Sequence, residues 1–412
     1  MQRLTSLLLS SLLLASPALA MDVVPEAAPA AKAKPATVEP ESAPITPSTV
    51  PPQPAPVDAV ATRKAGARWL VQHQNADGGW GAASFAQRNQ DRGPSGQSDV
   101  ATTSLALMAL QRDAGETDAH QASIRKGLDY VLRAIEKAPA RGVSLDAPKG
   151  TQPQGKLGPN VDTHFAALLL GDVDRRVGEK LYTRTQIAYD KVLSKVVAAQ
   201  RKDGSFDANG WAPVLSSSVA ARSLYTALDK GKRVDQVVLD RAQAFNEKLV
   251  DEESGRFDSS SGAGVDLYAA ASALQGNKKG GKTVAPEAAE RAERKAEKAA
   301  DRLREDQAAM IRGFGSVGGE EMLSYMMISD TLAEERGDDW ETWQTAIASH
   351  LRATQNGDGS WSGHHCITST PFVTAAAVLT LGAGDAFPQV TQSGESAPDV
   401  QSAATSATRT VQ

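Results

Sequence analysis

The residues best suited to chemistry lie in two short segments near the C-terminal end of the sequence. The segment "GGEE" supplies Glu320 and Glu321, and "GHHC" supplies His364, His365 and Cys366. Carboxylate, imidazole and thiolate groups bind zinc, and a thiolate beside a base is a nucleophile. We therefore predict Glu320, Glu321, His365 and Cys366 as candidate catalytic residues, and Glu320, His365 and Cys366 as candidate ligands of a zinc ion. The alternative is that both segments only begin helices.

The second segment follows a turn motif that recurs along the chain. The motif "QNADGGW", ending at Trp80, returns as "QRKDGSF", ending at Phe206, and as "QNGDGSW", ending at Trp361. Weaker copies end at Phe257 and Phe314, and the first gap is long enough to hold two units, so the copies imply six units. Glycine after aspartate permits a positive φ where a helix stops, and the aromatic side chain is expected to fill the seam between units.

Two kinds of helix alternate around these turns. The segment before a turn is amphipathic, as in residues 124–135, where Ile124, Leu128 and Val131 share one face. The segment after a turn is small and apolar nearly all round, as in "VATTSLALMAL" and "FVTAAAVLTL", which is typical of a helix buried on every side. With strand signals nearly absent, we predict an all-α protein with an α/α toroid fold, in which six helical hairpins form inner and outer rings.

In such a toroid the inner helices all begin at one rim, so that the residues after each turn meet at the mouth of the ring. We expect this mouth to bind a ligand. Aspartates at helix starts also have a second explanation, because they cap exposed amides and complement the helix dipole. The candidate binding residues are Asp99, Asp162, His164, Asp266 and His364.

The "QNxDGxW" turns and the buried helices that follow them resemble the repeats of the terpenoid cyclase and protein prenyltransferase superfamily, which includes squalene-hopene cyclase. The resemblance extends over residues 59–381 and implies an α/α toroid in a divergent exported member. Squalene-hopene cyclases protonate their substrate with a DxDD motif, which this sequence lacks, and the nearest string is "GDVDRR" at residues 171–176. The Asp-x-Cys pair of prenyltransferases and the Cys-Gly-Glu-Gln string of thioester domains are also absent. Neither cyclisation nor prenyl transfer is therefore expected.

The two ends of the chain differ in composition from the repeats. Residues 1–20 contain a basic residue, an apolar run and a small-x-small site, which predicts a signal peptide and export to the periplasm or the medium. This run is too short to cross a bilayer as a helix, and no transmembrane segment is expected in the mature chain. Residues 21–58 are rich in Pro and Ala and residues 389–412 lack periodicity, so a disordered linker and a disordered tail are predicted around a toroid at residues 59–388.

Charge content excludes one class of partner, and cysteine content excludes one source of stability. The chain carries 44 basic and 49 acidic residues, a net charge of −5, so nucleic acid is not an expected partner. Cys366 is the single cysteine, and packing must stabilise the fold in the absence of internal disulfides.

Three functions from different classes remain open on the sequence. The preferred one is a binding or scaffold module for a small molecule or protein at the toroid mouth. The second is a metal- or thiolate-dependent enzyme that uses the GGEE and GHHC segments. The third is a secreted polysaccharide lyase or glycosidase built on the same toroid.

Overall fold

The structure is a computed structural model that describes residues 58–82, 84, 96–113, 117–145, 150–207, 209–313 and 317–386. The predicted signal peptide and tail, the linker up to residue 57, and Phe314 lie outside this part of the chain. Within it, the secondary structure is α-helical, with three isolated β-bridges and no strand. The helices are α1 (Ala59–Gln72), α2 (Val100–Arg112), α3 (Asp118–Lys137), α4 (Gln152–Leu157), α5 (Val161–Asp172), α6 (Glu179–Ala199), α7 (Pro213–Asp229), α8 (Gln236–Glu247), α9 (Asp266–Gly280), α10 (Pro286–Glu305), α11 (Gln307–Arg312), α12 (Gly319–Glu335), α13 (Asp338–Thr354), α14 (Thr370–Leu381) and α15 (Ala383–Ala386).

Six of these helices form a closed inner ring in the described part of the chain. In ring order α2, α5, α7, α9, α12 and α14 each contact the next, and α14 contacts α2 again. The helices α1, α3, α6, α8, α10 and α13 lie outside this ring and pack against it. The predicted α/α toroid of six helical hairpins is therefore confirmed.

The burial of the two rings follows the sequence pattern. Every residue of α2 from Val100 to Leu110 is buried, because the helix has neighbours on all sides. In the outer helix α3, Ile124, Leu128 and Val131 face the ring, whereas Arg125 is exposed. Although the inner helices are apolar, no helix among the described residues is long and apolar enough to cross a membrane.

The aromatic residue of each described turn fills a seam between hairpins. Trp361 is 1% exposed, and its indole Nε1 donates to the Leu351 carbonyl at 2.8 Å. The equivalent bond joins Trp80 Nε1 to the Leu70 carbonyl at 2.9 Å. Trp80, Phe206, Phe257 and Trp361 are all buried. The turn motif is thus a packing device in these units.

The last hairpin closes the ring by packing on the first. The Gln355 side chain donates to the Thr62 carbonyl at 2.9 Å, and the Trp69 indole donates to Asp358 Oδ2 at 2.9 Å. Gly66 is required at this seam, since a Cβ there would lie 2.7 Å from the ring of Trp361. Residues of the first and last hairpins, 293 positions apart in sequence, are thereby joined.

A buried ion-pair cluster spans the ring at the end where the inner helices finish. Asp330 on α12 is fully buried and accepts from Arg112 on α2 at 2.6 and 3.1 Å, and from Arg222 on α7 at 2.6 Å. Burial alone would raise the pKa of Asp330, but the two guanidinium groups lower it below its usual value. Because α2, α7 and α12 are alternate members of the ring, the cluster braces its centre.

We expect Trp361→Ala to lower the free energy of unfolding by about 3 to 5 kcal/mol, as truncation of a buried aromatic residue does. The substitution leaves a cavity between the first and last hairpins. Urea unfolding followed by circular dichroism would measure the change. The matched control is Trp211→Ala, because Trp211 is 63% exposed and contributes little packing. Equal effects of the two substitutions would contradict the role of Trp361 in closing the ring.

Candidate functional site

A short helix that the repeat pattern did not predict lies at the mouth of the ring. In place of a second turn motif, the chain between α3 and α5 forms α4, whose start is stabilised by a capping box between Thr151 and Gln154. The buried Gln152 side chain accepts from the amides of Thr368 and Ser369 at 2.8 and 3.1 Å. Helix α4 therefore connects the second hairpin with the segment before α14.

Helix α4 places Lys156 beside the predicted site residues Glu320 and Cys366. Lys156 is 5% exposed, and its Nζ lies 2.9 Å from Cys366 Sγ and 3.2 Å from Glu320 Oε1. Burial acts to lower the pKa of Lys156, but Glu320 and Cys366 outweigh it and raise the pKa above its usual value. No sequence motif indicated Lys156, since the repeat pattern places no helix at this position.

Glu320 is fully buried at the first turn of α12. Its Oε2 accepts from the Ile367 amide at 3.2 Å. Its Oε1 makes no hydrogen bond of acceptable geometry, although the Lys156 ammonium is close enough to form an ion pair. Burial, and then repulsion by Glu321, raises the pKa of Glu320 to about 7, while Lys156 opposes the change. This carboxyl group can therefore hold or release a proton near neutral pH.

Glu321 is bound on several sides by its neighbours. It accepts from the Tyr268 hydroxyl at 2.6 Å and from the Gly318 amide at 2.9 Å, and His365 Nε2 lies 3.7 Å from the same carboxylate. Burial and then Glu320 raise the pKa of Tyr268 above its usual value, so its phenol remains a proton donor. The predicted proximity of Glu321 and His365 is seen in the structure.

Backbone hydrogen bonds hold the GGEE and GHHC segments side by side. The Gly319 amide donates to the Ile367 carbonyl at 2.9 Å, and the His364 amide donates to the Val317 carbonyl at 2.7 Å. Cys366 itself has φ 58°, a left-handed conformation uncommon for a non-glycine residue. We call Lys156, Glu320, Glu321, Tyr268 and Cys366 the mouth cluster.

The geometry does not fit the zinc site predicted at Glu320, His365 and Cys366. The described residues contain no group of three or more His, Cys, Asp or Glu side chains placed to hold a metal ion. The Lys156 ammonium contacts both predicted ligand atoms, with Nζ 2.9 Å from Cys366 Sγ and 3.2 Å from Glu320 Oε1. The positive charge beside these two side chains is therefore that of the Lys156 ammonium.

A second pair of acids lies at the starts of α2 and α5. Asp99 caps α2, accepting from the Thr102 amide at 2.7 Å and from the Ala82 amide at 2.8 Å. Asp162 accepts from the Ala101 amide at 2.9 Å. Burial, followed by the nearby Asp162, raises the pKa of Asp99 to about 7. The capping explanation is therefore confirmed for Asp99, which forms no described contact with the mouth cluster.

The structure does not bring three other predicted binding residues to Lys156. His164 is fully buried, with Nδ1 2.9 Å from Ser216 Oγ, and burial lowers its pKa to about 3. Asp266 is exposed and accepts from the Ser259 hydroxyl. His364 is also exposed, and it lines a surface cavity together with Ser362 and Asn356. Position at a helix start was insufficient to predict which way these side chains point.

Comparison with known proteins identifies similarity to terpenoid cyclases. Residues 54–141, which contain α1 to α3, match the family model of the squalene-hopene cyclase C-terminal domain. The resemblance of the repeats to the terpenoid cyclase superfamily is thus confirmed over this segment. No curated protein matches the sequence.

Solved structures of the type II terpene cyclase MstE from Scytonema are also similar. A complex with its substrate, geranylgeranyl dihydroxybenzoate, has 13% identity and a TM-score of 0.47, covering 80% of this chain and 98% of that chain. A second substrate complex has 12% identity and a TM-score of 0.45, covering 80% and 99% of the two chains. An apo structure has 12% identity and a TM-score of 0.34, covering 81% and 100%.

The raised pKa of Glu320 predicts how stability varies with pH. Between about pH 5 and 7 the folded chain keeps a proton on Glu320 that the unfolded chain releases. The free energy of unfolding therefore falls as pH rises through this window, by up to about 1.4 kcal/mol per pH unit for this group. Asp99 adds a contribution of the same sign. In Glu320→Gln the dependence should be shallower, as measured by urea unfolding at pH 5, 6, 7 and 8.

The matched control for this measurement is Glu305→Gln, because Glu305 lies on the surface of α10 with its side chain 68% exposed. Its pH dependence should equal that of the parent protein. A slope in Glu320→Gln that also equals the parent's would show that Glu320 does not titrate in this window.

Proposed function

We propose that this protein is an exported ligand-binding module, which holds a small hydrogen-bond-donating molecule at the mouth cluster. The observation that carries the proposal is Glu320 Oε1, a fully buried carboxylate oxygen that is paired with the Lys156 ammonium at 3.2 Å but accepts no well-aligned hydrogen bond. The ion pair with Lys156 leaves the hydrogen-bonding capacity of this buried oxygen incompletely used, and such capacity costs free energy until an aligned donor fills it. An amine or hydroxyl group of a ligand would supply that donor.

The composition of the mouth cluster also supports binding over a purely structural role. Burying an ammonium and two carboxylates costs several kcal/mol per ion, and apolar residues of similar volume often give an equally stable protein. The toroid already has an apolar core and the buried ion-pair cluster around Asp330. The fold therefore does not require charged residues at the opposite end of the ring. A ligand that pairs with these groups gives a reason for them.

Electrostatics favours a neutral or cationic ligand over an anionic one. Glu320 and Glu321 lie within the mouth cluster, whereas Lys156 is its one cation and is already paired with Glu320. An added anion would be repelled by two carboxylates in a site of low dielectric constant. Amines and polyols are therefore the ligand classes that fit.

Trp211 lies beside the lysine of the mouth cluster. Its ring centre lies 5.0 Å from Lys156 Nζ, and the side chain is 63% exposed. The amides of Trp211 and Ala212 donate to the Lys156 carbonyl at 2.8 and 2.9 Å, so the backbone of this segment is held against α4. We infer that rotation of this indole uncovers Lys156 and admits the ligand.

Fluorescence of Trp211 offers a direct test. The other five tryptophans are at most 5% exposed, so acrylamide quenching reports mainly on Trp211. We expect saturable changes on titration with propylamine, 1,4-diaminobutane or sorbitol, and none with propionate. In Glu320→Gln the affinity should fall about 10-fold or more, which is the effect of losing a hydrogen bond to a charged group.

The control for this titration is Asp266→Asn, which changes an exposed acid at the start of α9 without touching the mouth cluster. Its affinity should equal that of the parent protein. Absence of saturable binding throughout the panel, or equal affinity in Glu320→Gln, would refute the proposed site.

Export is a separate part of the proposal and rests on the composition of residues 1–20. Expression of the full chain in a Gram-negative host, followed by fractionation, should give a periplasmic or secreted protein. Cleavage after Ala20 predicts a mature N-terminus at Met21, which intact-mass measurement would detect. A full-length product that stays in the cytosol would contradict export.

A further inference from the structure

The amine of Lys156 and the thiol of Cys366 are in direct contact, although 210 positions separate them in the sequence. The Nζ to Sγ distance of 2.9 Å is short for a hydrogen bond to sulfur. Lys156 is 5% exposed, and Cys366 is partly buried. No second cysteine exists in the chain, so an oxidised Cys366 cannot form an internal disulfide.

We propose that Lys156 and Cys366 form a covalent nitrogen–sulfur cross-link when a hydroperoxide oxidises the thiol. A sulfenic acid condenses with a thiol or with a nitrogen nucleophile, and the latter reaction gives a sulfenamide. Within the chain no thiol is available to compete. The nitrogen of Lys156 is in contact with the sulfur before oxidation, so condensation needs little reorganisation.

The reaction balances in two steps. In the first, the Cys366 thiol and hydrogen peroxide give a sulfenic acid and water, so that sulfur is oxidised by two electrons as the O–O bond breaks. In the second, the neutral Lys156 amine attacks sulfur, the S–O bond breaks, and hydroxide leaves as water after taking up a proton. The net change in the protein is the loss of two hydrogen atoms and the gain of one N–S bond.

Glu320 supplies what both steps need. Its Oε1 is a buried oxygen that forms an ion pair with the Lys156 ammonium but no aligned hydrogen bond, and the same ammonium contacts Cys366 Sγ. A hydroperoxide is a small hydrogen-bond donor, so this oxygen can orient it next to the sulfur. The same oxygen lies 3.2 Å from Lys156 Nζ and can accept the proton that the amine must lose before it attacks.

The cross-link would lock the mouth of the toroid. It joins α4 in the second hairpin to the segment that precedes α14 in the sixth. A covalent bond between residues 210 positions apart restricts the unfolded chain strongly, so the oxidised protein should unfold at a higher temperature. It would also remove the positive charge of Lys156 from the mouth cluster.

The test is to treat the full chain with hydrogen peroxide and measure its intact mass. We expect a loss of about 2 Da, the mass of two hydrogens. Tryptic digestion should give one cross-linked pair of peptides containing Lys156 and Cys366, with no cleavage after Lys156. Dithiothreitol should restore both the mass and the free thiol. The melting temperature should rise on oxidation and fall again on reduction.

Two variants separate the cross-link from other oxidation. Lys156→Arg keeps the positive charge but removes the amine, so peroxide should add about 16 or 32 Da at Cys366 without a loss of 2 Da. Cys366→Ser should show neither change. Circular dichroism of each variant would establish that it is folded.

Addition of oxygen to Cys366 in the parent protein, with normal cleavage after Lys156, would overturn the proposal. The cross-link does not depend on the proposed ligand. Failure to bind amines or polyols would leave it standing, and failure to cross-link would leave the binding proposal standing.

Discussion

The buried charge of Asp330 constrains how the inner helices can be arranged. A carboxylate at the centre of an apolar ring is tolerated only if cations reach it, because an unpaired buried charge costs several kcal/mol. Arg112 and Arg222 meet this requirement from two other inner helices, on alternate sides of the ring. The three helices must therefore keep their rotation and depth relative to one another. A shift of one helical turn in any of these helices would leave a charged side chain unpaired in the core.

That constraint leaves the opposite end of the ring free for a different use. The inner helices begin there, and their first turns expose amides that side chains or neighbouring segments must satisfy. Asp99 satisfies some of them as a cap, and Glu321 reaches back to the Gly318 amide. The mouth cluster is built on the same turns. Capping and chemistry are therefore not exclusive alternatives at this rim, since one carboxylate can cap a helix while its neighbour faces a lysine.

The mouth cluster shows how a small departure from a repeat can bring charged side chains together. In the second hairpin the turn motif is replaced by α4, which places Lys156 against Glu320 and Cys366. The ammonium opposes the tendency of burial to neutralise Glu320. Trp211 then covers the lysine while its own ring stays exposed to solvent. A regular sixfold repeat would have none of these contacts.

Local patterns in the sequence determined the helical content, the six hairpins and the role of the turn aromatics, because helix periodicity and turn chemistry act between residues close in sequence. They also identified the GGEE and GHHC segments, which adjoin since consecutive hairpins are neighbours. The directions of the side chains were decided by tertiary structure. The His164 side chain contacts Ser216, the Asp266 carboxylate accepts from Ser259, and the His364 side chain is exposed to solvent. Lys156 contacts Cys366, which lies 210 positions further along the chain. Packing across a closed ring brings such distant residues together, and no local sequence pattern indicates the contact.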